Sequence, residues 1–195
     1  MIKSYSISNA IFTNSKDGSI SEVLNKLKFK EFSEMHQTHS DYFLKIDSAG
    51  TFNSDALVTS KKNLPLVVKT ADCLHILATD GELVAAIHAG WRGLQNKIIE
   101  KSTNNFSKEN LKVVVGPHAQ SCCYEIKDDV AVYFENFIEF RNGRKYLSMK
   151  DFVKQYFGTN KIENEVSEIC TICNPDYFSY RENGTKKRQF GLIWI

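Results

Sequence analysis

Residues 74–93 read LHILATDGELVAAIHAGWRG, two short apolar runs meeting at an Asp80-Gly81 pair. Asp-Gly between apolar runs is a strong local hairpin signal, because both residues tolerate the positive φ of a tight two-residue turn. Leu74 to Thr79 and Leu83 to His88 are therefore expected to be hairpin-linked strands. Beyond them, Ala89-Gly90-Trp91-Arg92-Gly93 turns the chain into a helix expected near residues 94–105.

Toward the amino end, Asp55 to Thr59 and Leu64 to Lys69 read as short strands around a Lys61-Lys62-Asn63 turn. Residues 42–47 read as another strand, and residues 4–13 alternate weakly enough to suggest one more. Between these, residues 20–29 place Ile20, Val23, Leu24 and Leu27 on one helical face. Toward the carboxyl end, Leu111 to Val115 is a buried-strand run ended by Gly116-Pro117. Helices are expected near residues 128–140 and 149–157, and a strand over 189–195. Strands outnumber helices and several are hairpin-linked, which favours an α+β fold with a mixed sheet over a doubly wound one. With no repeat, no low-complexity tract and only Pro65, Pro117 and Pro175, residues 1–195 are expected to form a single domain.

The composition, 42% hydrophobic and 25% charged over 195 residues, suffices for a full core without disulfides or a structural metal. Any metal is then free to serve chemistry. A net charge of +2 argues against a nucleic-acid or membrane partner held by bulk electrostatics. The local cluster Lys186-Lys187-Arg188 reads as a solvated turn. The opening Met-Ile-Lys-Ser-Tyr-Ser-Ile-Ser has no apolar signal-peptide core, and no stretch approaches the ~20 apolar residues of a membrane span. A cytoplasmic location is expected, with five mostly reduced cysteines. Their odd number fits poorly with a disulfide framework.

Three residues stand at the ends of expected strands, where side chains from separate strands converge. They are His39 in His36-Gln-Thr-His39-Ser-Asp, Cys73 in Thr70-Ala-Asp-Cys73, and His88 in His88-Ala-Gly-Trp-Arg-Gly93. Two imidazoles and one thiolate suit Zn²⁺, with a fourth position left for water or substrate. The blander reading is a set of unconnected core histidines and a buried thiol. His36 and His39 form an H-x-x-H pair, but the surrounding residues are not helix-like. His75 alternates with Cys73, and stands as a substitute ligand, a supporting residue or an ordinary sheet histidine. Gly90 and Gly93 permit tight backbone turns, and Arg92 at a helix start makes a candidate seat for phosphate or carboxylate. The alternative there is a turn packed around Trp91. Cys122-Cys123 and Cys170-x-x-Cys173 hold four thiols, enough for a structural zinc, with ordinary reduced thiols as the default.

The ordered set of motifs resembles the bacterial laccase-domain family of the YfiH type, also described as a purine nucleoside phosphorylase family. The motifs are Asp55-Ala-Leu-Val-Thr59, Thr70-Ala-Asp-Cys73-Leu74 and His88-Ala-Gly-Trp-Arg-Gly-Leu94. Weaker matches follow at Gly116-Pro117, Cys122-Cys123-Tyr124-Glu125, Cys170-Thr171, Phe178-Ser-Tyr-Arg181 and Arg188. The resemblance spans His36 to Ile195. It implies a four-layer α/β/β/α sandwich like the catalytic domain of cytotoxic necrotizing factor. It also implies zinc on His39, Cys73 and His88 as the catalytic centre, with copper as the alternative ion at the same site. The implied activity is phosphorolysis of adenosine, inosine, guanosine and methylthioadenosine, with adenosine deamination beside it. Zinc makes a bound water acidic, which suits attack at C6 of adenosine. Phosphorolysis instead needs a held phosphate and a stabilised leaving purine, and Arg92 and Arg181 are the expected phosphate contacts. Tyr124 or Trp91 is expected to stack on the base. The small-molecule partners are thus a nucleoside and phosphate, and the sequence leaves oligomeric state open.

The chain departs from the family pattern at His118, Ala119-Gln120, Glu182 and Lys187, changes expected around the pocket. Three rival readings share these residues. One is a peptidoglycan-editing amidase acting on a serine-containing muropeptide precursor. Another is a copper-dependent polyphenol oxidase, for which five histidines without an H-x-H pair are too few to build a mononuclear and a trinuclear centre. The third is a non-enzymatic thiol-rich zinc module. Asp72, beside Cys73, is read as a structural support.

Overall fold

The computed structural model describes all 195 residues. In chain order the strands are β1 (Ile2–Lys3), β2 (Ala10–Phe12), β3 (Ser33–His36), β4 (Phe43–Lys45), β5 (Gly50–Asn53), β6 (Ala56–Thr59), β7 (Leu66–Thr70) and β8 (Leu74–Thr79). They continue as β9 (Val84–Ala89), β10 (Lys112–Val115), β11 (Glu125–Ile126), β12 (Ile138–Arg141), β13 (Arg144–Leu147), β14 (Glu163–Val166) and β15 (Gln189–Ile193). The helices are α1 (Ile20–Lys26), α2 (Trp91–Gln95), α3 (Ile98–Thr103), α4 (Asp128–Ala131), α5 (Met149–Thr159) and α6 (Tyr180–Asn183).

Two six-stranded sheets face each other. The first runs β1-β2-β15-β7-β3-β5, the second β14-β10-β8-β9-β6-β4, and a small β11-β13-β12 sheet stands apart. Both large sheets are mixed: β3 pairs parallel with β5 and β7, and β10 pairs parallel with β14 but antiparallel with β8. The α+β expectation with mixed sheets holds.

Side chains alternate across each strand with a period of two, and this sorts the core. Phe12, Leu66, Val68, Leu77, Ala86 and Val114 fill the space between the two sheets. Their neighbours in sequence face outward. Ile11, Val67 and Leu192 meet Val23 and Leu24 of α1 on one outer face. Ile76, Ile87 and Val115 meet Ile98, Ile99, Val153 and Phe157 of α3 and α5 on the other. Helix α1 starts from a Ser19–Glu22 capping box, which satisfies amide donors that an open helix end leaves unpaired.

The expected β8–β9 hairpin is present, with Gly81 at φ +94° in its turn. Several expectations need correction. The helix expected over 94–105 is two pieces, α2 and α3, broken at Lys97, whose φ is +61°. The helix expected over 128–140 stops at Ala131, and Ile138–Arg141 is instead strand β12. Val130, Ala131 and Phe134 mimic a helical stripe, but Asn142 and Gly143 both take positive φ and turn β12 back into β13. β6 and β7 flank the Lys61-Lys62-Asn63 turn as expected but lie in opposite sheets, so they are not a hairpin. The weak strand expected over 4–13 is only Ala10–Phe12, with β1 lying just before that range, and the ones over 42–47 and 189–195 shrink to 43–45 and 189–193. β3, β5, β14 and the three-stranded sheet went unanticipated, because their mixed polar sequences show no clean alternation.

Candidate metal centre and its cleft

The two sheets meet at one end of the sandwich, and a cleft of about 620 Å³ opens there. The loop after β3 carries His39, the β7–β8 turn carries Cys73, and β9 carries His88 near its end. His88 shares the inward parity of Val84 and Ala86, so its ring reaches the inter-sheet space. The ligand atoms of His39, Cys73 and His88 lie within 4.8 Å of one another. The two imidazoles meet edge to face, with centroids 4.8 Å apart.

Asp55 organises this group. It is fully buried, and its Oδ1 lies 2.7 Å from His88 Nδ1. That contact leaves His88 Nε2 for an ion. The same carboxylate accepts the backbone N–H groups of Thr38 (3.1 Å), His39 (3.1 Å) and Ser40 (2.8 Å), and the Ser40 hydroxyl at 2.6 Å. It thereby holds His39 in its left-handed backbone conformation, φ +62°. Burial raises the Asp55 pKa, but His88 and Ser40 outweigh it and keep the carboxyl well below its usual range. For His88, burial acts to lower the pKa, while Asp55 and Cys73 together lift it to about 9. Burial pushes the Cys73 thiol up, yet hydrogen bonds and charge from His39 and His88 bring it down to about 6. Cys73 is therefore poised as the thiolate, the form that binds metal.

Gly90 matters sterically. A Cβ there would sit 3.1 Å from Cys73 Sγ and 3.4 Å from the His39 ring, crowding the ligand atoms. Asp72, at φ +92°, is a support as expected. Its Oδ1 accepts from Thr171 Oγ1 (2.8 Å) and its Oδ2 from the Arg181 N–H (2.7 Å), while its carbonyl accepts from the Ala119 N–H (2.9 Å). His75 is not a ligand. It is fully buried between the sheets, stacked on Phe12 at 4.8 Å, with Nδ1 2.6 Å from Thr70 Oγ1. His36 lines the cleft without joining the ligand group.

Arg92, Tyr124 and Arg181 line the same cleft. The Arg92 guanidinium lies over the Trp91 ring at 4.4 Å, and Trp91 also stacks with Tyr133. The Arg181 guanidinium lies 4.7 Å over the Tyr124 ring and donates to the Glu125 carbonyl at 2.8 Å. Burial lifts the Tyr124 phenol to about 12. The lining holds Arg92, Arg181 and Arg188, besides Lys69, which is paired with Glu34 at 3.0 Å, against a single acid, Asp72, whose oxygens are already engaged. Helix α2 is only five residues long, so an anion seat here rests on these cations and not on a helix dipole. The residues that depart from the family pattern, His118, Ala119, Gln120, Glu182 and Lys187, do not line the cleft, contrary to expectation. Residue-level reading gave Asp55 no role. Its one signal is an acid placed directly before the apolar run Ala56-Leu-Val, a position that becomes buried. Exposed Tyr180 and half-buried Arg188 at the cleft also received no such role.

Residues 17–195 match the family model described as multi-copper polyphenol oxidoreductase laccase. The chain belongs to this family. Within reach of it, a purine nucleoside phosphorylase of Aquifex aeolicus is 34% identical over 88% of this chain and 89% of its own length. A purine nucleoside phosphorylase of Clostridium acetobutylicum is 32% identical over 94% of this chain and 85% of its own. Among solved structures, a Neisseria meningitidis protein of the DUF152 family superposes with a TM-score of 0.81 at 25% identity, covering 90% of this chain and 78% of that one. YlmD of Geobacillus stearothermophilus shares the fold at a TM-score of 0.83 and 20% identity, covering 98% of this chain and 93% of its own. The family's fold and the His-Cys-His group therefore occur together in this chain. No helix is long and apolar enough to cross a membrane.

Proposed function

We propose that this chain is a zinc-dependent purine nucleoside phosphorylase of the cytoplasm, acting on adenosine, inosine, guanosine or methylthioadenosine, with adenosine deamination as a second activity. The observation that carries this reading is a His-Cys-His donor group set in a cleft whose free charges are cationic. The relatives named purine nucleoside phosphorylase support it. The donor group fits zinc: two imidazoles and a thiolate, one imidazole backed by a buried carboxylate, leave one position open. Bound zinc would supply a Lewis acid for the substrate oxygen or water.

The chain's own residues supply the rest. Arg92, Arg181 and Arg188 present guanidinium forks suited to phosphate, which must be held in line with the ribose anomeric carbon. Tyr124 is 6% exposed with Arg181 across its ring, so it offers the purine an edge and fixes Arg181. Tyr180, 60% exposed at the cleft, offers a free ring face for stacking. A multicopper centre needs further histidines near the triad, but His75 and His118 are fully buried and bonded elsewhere. The helix, sheet, sheet, helix order of the apolar layers supports likeness to the cytotoxic necrotizing factor catalytic domain.

The test is base release from inosine and adenosine, with and without phosphate, by tag-free protein and by its Cys73→Ala and Arg92→Ala variants. Phosphate-dependent release lost in Cys73→Ala, and a raised phosphate KM in Arg92→Ala, are expected. An unchanged phosphate KM removes Arg92 from the phosphate site, and absence of turnover on both nucleosides sinks the reading.

A further inference from the structure

The four cysteines outside the cleft also meet. Cys122 and Cys123 lie in the turn before β11, and Cys170 and Cys173 in the loop after β14, yet their sulfurs all lie within 4.8 Å of one another. Cys122 and Cys173 are 3.9 Å apart, and all four are free thiols. A tetrahedral zinc with Zn–S bonds of about 2.3 Å places its sulfurs about 3.8 Å from each other. The cluster therefore needs only small side-chain shifts to close on an ion. Four thiolates leave no open position, which marks a structural site and not a catalytic one. Cys170 is buried and its Sγ accepts the Gln120 N–H at 3.5 Å, a contact that favours sulfur carrying negative charge.

The position gives such a site a task. Its two loops are irregular, joined directly by the β-bridge between His118 and Cys170 and by Gln120, which donates to Cys170 Sγ and to the Ser167 carbonyl at 3.2 Å. Both feed the cleft. Tyr124 follows Cys123 directly, and the Cys170–Cys173 loop leads to Arg181 through Thr171, which is tied to Asp72.

We propose that Cys122, Cys123, Cys170 and Cys173 form a second, structural zinc site that fastens the loop of Tyr124 to the loop leading to Arg181. Zinc replaces one proton on each of the four thiols, and those protons pass to solvent, so binding weakens as pH falls. This site is independent of the cleft metal and of the phosphorylase reading.

The test uses the full chain without a histidine tag, purified under reductant. Wild type is expected to carry about two zinc ions per chain and Cys73→Ala about one. The Cys122→Ser, Cys173→Ser double variant, which changes only exposed thiols, is expected to lose one equivalent and to melt at a lower temperature. Cobalt added to metal-stripped Cys73→Ala protein should give the intense visible bands and ultraviolet charge-transfer absorption of a tetrahedral four-thiolate ion. His39→Ala, altered at an exposed ligand, serves the same purpose if Cys73→Ala does not fold. A folded cleft variant that holds no zinc and gives no cobalt–thiolate spectrum overturns the proposal. So does alkylation mapping that finds a disulfide among the four in the reduced preparation. If nucleoside turnover and cleft metal are both absent, a single zinc lost only in the double variant still upholds it.

Discussion

Asp55 carries more of the site than any ligand does, because one buried carboxylate holds both His88 and the backbone around His39. Asp55→Ala leaves the buried His88 Nδ1 and several amide donors without their partner. The expected cost is about 3–5 kcal/mol of stability, read by urea unfolding. Zinc affinity should fall about 10- to 100-fold, read by chelator competition; an affinity equal to wild type would show that Asp55 does not orient His88. Two other histidines make a pH prediction. Burial pushes His75 down to about 3 and His118 down to about 4, so both stay neutral in the folded chain. The unfolded chain binds these protons near pH 6.5, so their contribution is intact above that value and is lost as pH falls toward the folded values. Each costs up to about 1.4 kcal/mol per pH unit over that window. A urea midpoint that stays level between about pH 7 and about pH 5 would contradict this.

At the scale of elements, β10 and the β8–β9 hairpin form the middle of the second sheet, from which β9 presents His88 to the cleft. β8 pairs antiparallel with both neighbours over most of its length. His75 stacks on Phe12 across the two sheets, and Gly116, just past β10, has the His75 and Phe12 rings where a Cβ would project. Gly116→Ala must therefore push these rings apart. We expect a loss of at least about 1–3 kcal/mol, seen as a lower urea midpoint at unchanged slope. An unshifted midpoint would mean that the sheets part there without cost. The elements read wrongly from sequence share one cause. Ile138–Arg141 is a strand because Asn142-Gly143 turns it onto β13, and that pairing outweighs the short helical stripe before it. Lys97, a residue with no turn preference, breaks the helix expected over 94–105 because α3 packs on β9.

For the whole molecule, the triad joins the two sheets. His39 follows β3 of the first sheet, His88 lies on β9 of the second, and Cys73 sits in the turn that crosses between them. An ion held by all three would tie the sheet ends together, so its binding energy adds to folding. With free zinc at about 100 times its Kd, the gain is about 2.7 kcal/mol. Thermal melts with and without zinc should show that rise at the cleft in Cys122→Ser, Cys173→Ser protein. No rise in that background would mean the three ligands do not close on zinc.

Local chemistry written in the sequence determined the β8–β9 hairpin, α1 and α5, because turn residues, caps and apolar spacing act within a few residues. It also placed His39, Cys73 and His88 at strand ends, and the order of their motifs carried the family resemblance. Tertiary structure alone decided that β6 and β7 part into opposite sheets, since strand partners are chosen by burial across the whole core. It alone gave Asp55 its role: the sequence marks only an acid before an apolar run, and the groups that the acid binds are brought to it by folding. The meeting of Cys122 and Cys123 with Cys170 and Cys173 has the same origin: the contact joins two distant loops, and only the packed sandwich sets their separation.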